Sequence, residues 1–175
     1  MTQWNVDVTH SNVGFSVRHM MIAKVKGNFT EIEGTLNGNP EDFANANIAF
    51  NIKTASIDTN NEDRDNHLRS GDFFDAEVNP NISFKSSSIT EKGGNEYVIT
   101  GDLTIKGETK EVSFDAEYLG TGQNPWGVDV AAFEAKTKIS REAFGLTWNQ
   151  TLETGGVLVG DDIEISVEVQ LNPAS

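Results

Sequence analysis

Apolar residues in this chain fall on every second position in run after run. Val13, Phe15 and Val17 alternate with Asn12, Ser16 and Arg18, and Ile48, Phe50 and Ile52 with Asn47, Asn51 and Lys53. Ile82 and Phe84 alternate with Ser83 and Lys85, and Tyr97, Ile99, Leu103 and Ile105 share one parity across Gly101. Val112, Phe114, Ala116 and Tyr118 stand against Glu111, Ser113, Asp115 and Glu117, and Ala131, Phe133, Ala135 and Ile139 follow. The last run is the clearest, with Ile163, Ile165, Val167, Val169 and Leu171 against Glu164, Ser166, Glu168 and Gln170. A period of two turns successive side chains to opposite faces, so each run predicts a strand with one buried and one wet face. That is the habit of antiparallel sheets. With residues 29–36 added, the count is about eight strands.

Turn chemistry agrees. Lys106-Gly107-Glu108 and Lys92-Gly93-Gly94-Asn95 separate runs closely enough for hairpins, and residues 39–45 are polar enough for a short turn or helix. No helical connector recurs, which argues against βαβ units. In the first run, Val6 and Val8 are even while Val13, Phe15 and Val17 are odd. The phase must change between them, which predicts a bulge or bend near Thr9 to Asn12.

Residues 58–80 form the one long connection without strand periodicity, and connections of that length tend to be functional or covering. Its centre, EDRDNHLRSGDFFD from Glu62 to Asp75, gathers two arginines, five acidic residues, a histidine and two phenylalanines. Thr59-Asn60-Asn61-Glu62 reads as a capping box and Gly71 as a stop, predicting a short helix near 60–69. That helix puts Arg64, His67 and Leu68 on one side. Asp65 and Arg69, four apart, are spaced to pair, and Phe73 and Phe74 supply an anchor. The segment reads either as an active site or as a plug on one barrel end.

Composition bounds the chemistry. The chain has 175 residues, enough for one domain (1–175) with a core of its own, and no cysteine, which removes disulfides and thiol chemistry. The formal charge of −14 repels nucleic acid phosphates and anionic membranes, so no nucleic acid partner is expected. No stretch is apolar enough for a membrane span. MTQWNVDVTHS shows neither a basic nor an apolar leader region, which points to a cytoplasmic location, or a periplasmic or extracellular one if a leader has been removed.

Catalytic motifs are lacking. His10 and His19 lie on one strand roughly 25–30 Å apart, too far to share a metal, and His67 could join only one of them, so no metal site is expected. Ser11 follows His10 with no G-x-S-x-G elbow, and adjacent strand residues point to opposite faces. Asp63/Asp65 and Asp161/Asp162 read as solvated charges, not acid/base pairs. No phosphate loop is present. No catalytic residue is assigned. Eight antiparallel strands can close around a packed core or around one small ligand. Ten phenylalanines beside small residues such as Ala46, Ala116, Ala131 and Ala135 suit either, so periodicity leaves a filled interior and a lined cavity open.

The order of motifs resembles one known family. Asp7-x-x-His10-Ser11 with Phe15 and His19, then Lys26-Gly27-x-Phe29, is similar to the opening of YceI proteins. Ser56-Ile57-x-Thr59, Arg64-Asp65-x-His67-Leu68, Phe73-Phe74-Asp75 and Pro80-x-Ile82-x-Phe84-x-Ser86 resemble their central signature. Gly101-Asp102-Leu103-Thr104-Ile105-x-Gly107 and Arg141-x-x-Phe144-Gly145-Leu146 complete it. The resemblance implies an all-β, lipocalin-like antiparallel barrel that binds a long apolar lipid, a polyisoprenoid or isoprenoid quinone, and uses no other cofactor. It makes a homodimer reasonable and carries an association with stress response.

Carried onto this chain, the resemblance makes Phe15, Val17, Phe50, Ile52, Phe84, Leu103, Phe114, Phe133, Ile139 and Val167 the expected lining. His19 is expected either to meet a head group or to pair with a carboxylate. Arg64, Asp65, His67, Phe73, Phe74 and Arg141 are expected at the barrel end, with Arg141 paired to an acid of the 62–75 segment. A barrel enzyme using His19 or His67 as acid or base, and a ligand-free interaction module, are the alternatives.

Overall fold

The computed structural model describes residues 3–19, 23–149 and 159–174, the His19 side chain excepted. Its strands are β1 (Gln3–Val6), β2 (Asn12–His19), β3 (Ala23–Phe29), β4 (Ile32–Asn37), β5 (Asn47–Lys53), β6 (Ile57–Asp58), β7 (Asn81–Gly93), β8 (Glu96–Ile105), β9 (Glu108–Gln123), β10 (Asp129–Ser140) and β11 (Val159–Pro173), with the helix α1 (Glu62–Arg69) between β6 and β7. All pairings are antiparallel. They run β1-β4-β5-β7-β8-β9-β10-β11, and β1 pairs back onto β11, closing an eight-strand barrel. Closure leaves no free edge in that ring.

Eleven segments make eight strands because the first three are each broken at a corner. β1 and β2 pair with successive parts of β11; β4 and β3 pair with β1 and β2; β5 and β6 pair with β4 and β3. The corners stay knitted together: Thr30 N donates to Ser56 O at 3.1 Å, Lys53 N to Glu31 O at 3.0 Å and Thr54 N to Pro80 O at 3.0 Å. The expected single strand over 29–36 is therefore two. Phe29 packs inward on Phe15 and Phe74, yet the even-numbered Ile32 and Leu36 below the corner are buried too, and the parity can change only if the strand breaks.

The first corner falls where the phase shift of the valines placed it, and it uses the Asp7-x-x-His10-Ser11 motif. Val8–His10 form a 3-10 turn capped by Asp7, whose Oδ1 accepts from Thr9 N at 3.0 Å and Thr9 Oγ1 at 2.7 Å, while His10 Nδ1 lies 2.9 Å from Oδ2. The Thr9 hydroxyl first, then His10, hold the Asp7 carboxyl down at about 2. Ser11 Oγ accepts from Gln170 N at 3.0 Å and ties the corner to β11.

Two glycines make room for rings. A Cβ on Gly27 would stand 2.5 Å from Phe15 Cζ, and one on Gly101 would stand 2.8 Å from Phe84 Cζ and 2.3 Å from Lys85 O. Opposite Gly101, β7 bulges between Ser86 and Ser88, which moves its inward parity from Phe84 to Ile89.

Apolar packing concentrates at the two ends. One cluster gathers Trp4, Leu36, Phe43, Tyr97, Phe114, Ala131, Phe133 and Leu171. Its plug is Phe43, on a 3-10 segment Pro40–Asn45 that crosses the barrel floor. The other cluster gathers Ile57, Phe73, Phe74, Ile82, Leu103, Ile105, Ile139, Phe144 and Leu146 beneath α1. Among the described residues, no helix is long and apolar enough to cross a membrane.

Arg141 fastens the second end, and here the expected ion pair is corrected. The side chain is 2% exposed and touches no carboxylate of the 62–75 segment. Its Nε donates to Gly160 O at 2.7 Å, one terminal nitrogen donates to Leu146 O and to Trp148 O (3.0 Å), and the other to Val159 O at 3.0 Å. Gly145, in the left-handed region at φ 80°, turns the chain after the 3-10 turn Glu142–Phe144 so that these carbonyls converge. Burial pushes the guanidinium below its usual value, while Glu142 and Asp161 push it back up.

Two expectations follow. Arg141→Ala takes the donor from four carbonyls, of which Val159 O keeps the Asn149 amide, and should cost about 3 kcal/mol, and Arg141→Lys should recover only part because an ammonium lacks the planar fork; denaturant midpoints at unchanged m-value check both. Asp7, held at about 2 against an ordinary 3.8, contributes stability that is complete above the higher value and lost as pH falls through the lower. Asp7→Asn should therefore flatten the acid limb of stability between those values, and an unchanged limb would show that the corner does not titrate.

Candidate functional site

One cavity runs through the barrel between the two plugs. Its volume is about 480 Å³, within the common range for ligand sites. Inward residues of β11 from Ile163 to Leu171 all border it. Eight steps along a strand span about 26 Å, or about 20 Å along a barrel axis at the usual tilt. A sphere of the same volume would be far shorter, so the space is a tunnel.

The cavity decides a question that alternation left open. Ile163, Ile165, Val167 and Val169 point into a closed barrel, yet they are only half-buried, while Leu171 at the floor is 3% exposed. Phe15, Val17, Phe50, Ile52 and Phe84 are likewise half-buried. These side chains face space that no neighbouring side chain fills.

All ten expected apolar residues, Phe15, Val17, Phe50, Ile52, Phe84, Leu103, Phe114, Phe133, Ile139 and Val167, border the cavity. The role expected of His19 concerns a side chain outside the described residues; its backbone ends β2 opposite Val159 and Ala23. Among the residues expected at the barrel end, Arg64, His67, Phe73, Phe74 and Arg141 border the cavity and Asp65 does not.

The α1 end is built from local bonds. Asn61 is the helix cap, with its side chain accepting from Arg64 N at 3.0 Å, so the expected capping box on Thr59 is corrected. Thr59 is drawn elsewhere: its backbone N donates to Asp65 Oδ1 at 2.8 Å and its hydroxyl donates to the same oxygen. The positive φ of Asn60 (64°) turns the chain between them. Asp65 is thus buried by Thr59 instead of pairing with Arg69. Arg69 instead donates to Ala55 O at 2.8 Å, Ile57 O at 3.1 Å and Asn66 Oδ1 at 3.0 Å, fastening the helix to the third corner. Arg64 donates to Thr59 Oγ1 at 2.8 Å and Thr59 O at 2.7 Å.

On the cavity side, α1 presents Asp63, Arg64, His67 and Leu68. His67 Nε2 lies 3.0 Å from Asp72 Oδ2, and its ring stands edge-on to Phe73 (centroids 5.0 Å) and to Trp148 (4.7 Å). The site therefore has an aromatic and polar mouth at α1, an apolar shaft and an aromatic floor.

Two contributors were not visible in the sequence. Phe43 lies in a stretch whose polarity signals only a turn, and its sole clue is one aromatic among Asn, Asp and Glu. Trp148 follows the Arg141 turn and belongs to no periodic stripe.

Comparison with known proteins agrees with this geometry. Residues 4–171 match the YceI-like domain. A UPF0312 protein of Staphylococcus epidermidis is 42% identical over 173 residues, 98% of each chain. The crystal structure of Burkholderia cenocepacia BcnA superposes with a TM-score of 0.83 at 27% identity, covering 94% of this chain and 98% of that one. A domain from Saccharophagus degradans, described as polyisoprenoid binding and implicated in plant cell wall breakdown, shares the fold at TM-score 0.70 and 10% identity, over 99% of this chain and 100% of that one. Matched along nearly its whole length, with the barrel and the motif-built corners in place, this chain belongs to the YceI-like family.

Proposed function

We propose that this protein carries or stores one long, mostly apolar lipid of the polyisoprenoid or isoprenoid quinone class inside its barrel, without performing chemistry on it. The observation that carries the reading is the tunnel: an apolar shaft of about 480 Å³, far longer than wide, reaching from α1 to Phe43. Such a shape rewards a flexible hydrocarbon chain. Affinity would come from apolar burial, at about 25 cal/mol per Å² before the costs of ordering. The fold shared with a polyisoprenoid binding domain supports this class of ligand.

The mouth favours a neutral head group. Of the arginines bordering the cavity, Arg64 and Arg141 are engaged with Thr59 and with backbone carbonyls, which leaves Arg18 to meet an anion, and the chain carries a formal charge of −14, so a diphosphate would find poor company. His67 and Trp148 offer a polar ring and an aromatic face to a carbonyl or hydroxyl. The same commitments speak for binding over catalysis. His67 is paired with Asp72 among aromatic rings, and the nearby Ser70 hydroxyl donates to the backbone carbonyl of His67, not to its ring.

A neutral isoprenoid quinone at a hundred times its dissociation constant should stabilise the fold by about 2.7 kcal/mol, raising the melting temperature by roughly 5–10 °C. Phe50→Trp places extra ring volume in the shaft. It should change the stability of the lipid-free chain by less than about 1 kcal/mol while weakening quinone uptake. A destabilisation of about 1–3 kcal/mol with no quinone effect in either protein would mean a packed interior and would contradict the reading.

A further inference from the structure

We infer that Phe43 is a length stop: it sets how many isoprene units the lipid tail can have. The inference rests on the carrier reading above and adds a specificity determinant to it. The two tunnel ends are built differently. At the α1 end the wall carries Asp63, Arg64 and His67, groups that suit a head in contact with water. At the far end the wall is the ring of Phe43, 1% exposed, set among Leu36, Phe114, Phe133 and Leu171 with the ring of Tyr97 behind it. An amphiphilic lipid therefore sits with its head at α1 and its tail end against Phe43.

The stop is rigid because its ring is held on two sides. Phe43 packs on Phe133 with centroids 4.4 Å apart and stands edge-on to Tyr97 at 5.0 Å, and Tyr118 packs on Phe133 at 5.0 Å. Phe43 and Phe133 border the cavity; Tyr97 and Tyr118 do not. The backbone beneath is fastened as well: Asn39 Oδ1 accepts from Glu41 N at 2.9 Å, and Ala46 N donates to Phe43 O at 3.0 Å. A stack of this kind cannot swing aside without breaking several ring contacts.

A fixed wall makes affinity depend on length with a break. Each isoprene unit that enters the shaft buries more apolar surface and should tighten binding about tenfold or more. Once the tail reaches Phe43, a further unit must buckle or remain in water, and the gain stops. Replacing the benzyl side chain by a methyl group removes six carbons, so Phe43→Ala should move the break up by about one five-carbon unit. Ala116 borders the cavity in the same cluster as Phe43, and Ala116→Phe should move the break down by about one unit.

The test is displacement of a fluorescent apolar probe by all-trans isoprenoid alcohols of increasing length, on the wild type and both variants. Opposite shifts of the break support the stop. Ala116→Phe leaves Phe43 in place, so the test survives even if truncating the plug prevents folding. A wild-type series with no break, or a break that a folded variant leaves unmoved, overturns the stop and leaves the carrier reading intact. Failure of the wild type to take up an alcohol of any length contradicts the carrier reading itself.

Discussion

An apolar tunnel through a small protein survives only if both ends are sealed without leaving backbone polar groups stranded, and much of this structure answers that constraint. Strand pairing satisfies the walls, because a closed ring of eight strands has no edge. The ends have no such solution. At the floor, a short 3-10 segment carries Phe43 inward while its own bonds are met locally. At the mouth, the chain turns irregularly after β10, and the carbonyls of Leu146 and Trp148 converge with those of Val159 and Gly160 at the start of β11. A single buried guanidinium takes all four. A carboxylate partner for Arg141 would have taken this donor from the carbonyls of Leu146, Trp148 and Gly160, while Val159 O also accepts from the Asn149 amide; that is why the pairing rule for charges fails here.

The same constraint explains what the family motifs do. Asp7, His10 and Ser11 shape and fasten the first corner; Thr59, Arg64 and Asp65 hold α1 across the end; Gly27 and Gly101 clear space for Phe15 and Phe84. Most of these polar motif residues serve architecture. The lining belongs instead to the period-two stripes. A dense cluster of charge in a strand-rich chain suggested either an active site or a plug, and the bonds of residues 59–75 run mainly into the fold.

What the sequence disclosed follows from the range of each signal. Alternation is local and strong, so the strands, their inward faces and the first bend were legible, while the lining came from the family resemblance. The second corner was missed, since Phe29 and Ile32 differ in parity across two residues that look like ordinary strand. The helix was legible but its cap was not, because Asn61 and Thr59 are both good caps and only the distant burial of Asp65 draws Thr59 away. Backbone carbonyls leave no mark in a sequence, so the partners of Arg141 were out of reach. Whether ten phenylalanines fill a barrel or line it depends on summed volume against ring closure, a property of the whole chain.

The central claim is that the interior takes up a long lipid. The most direct measurement is to purify the protein under native conditions, extract it with organic solvent and determine the mass of what is released. The account predicts about one long, apolar, isoprenoid-type molecule per chain. A chain whose native mass equals that of its amino acids alone, and stays so after incubation with isoprenoid quinones and alcohols, would contradict it.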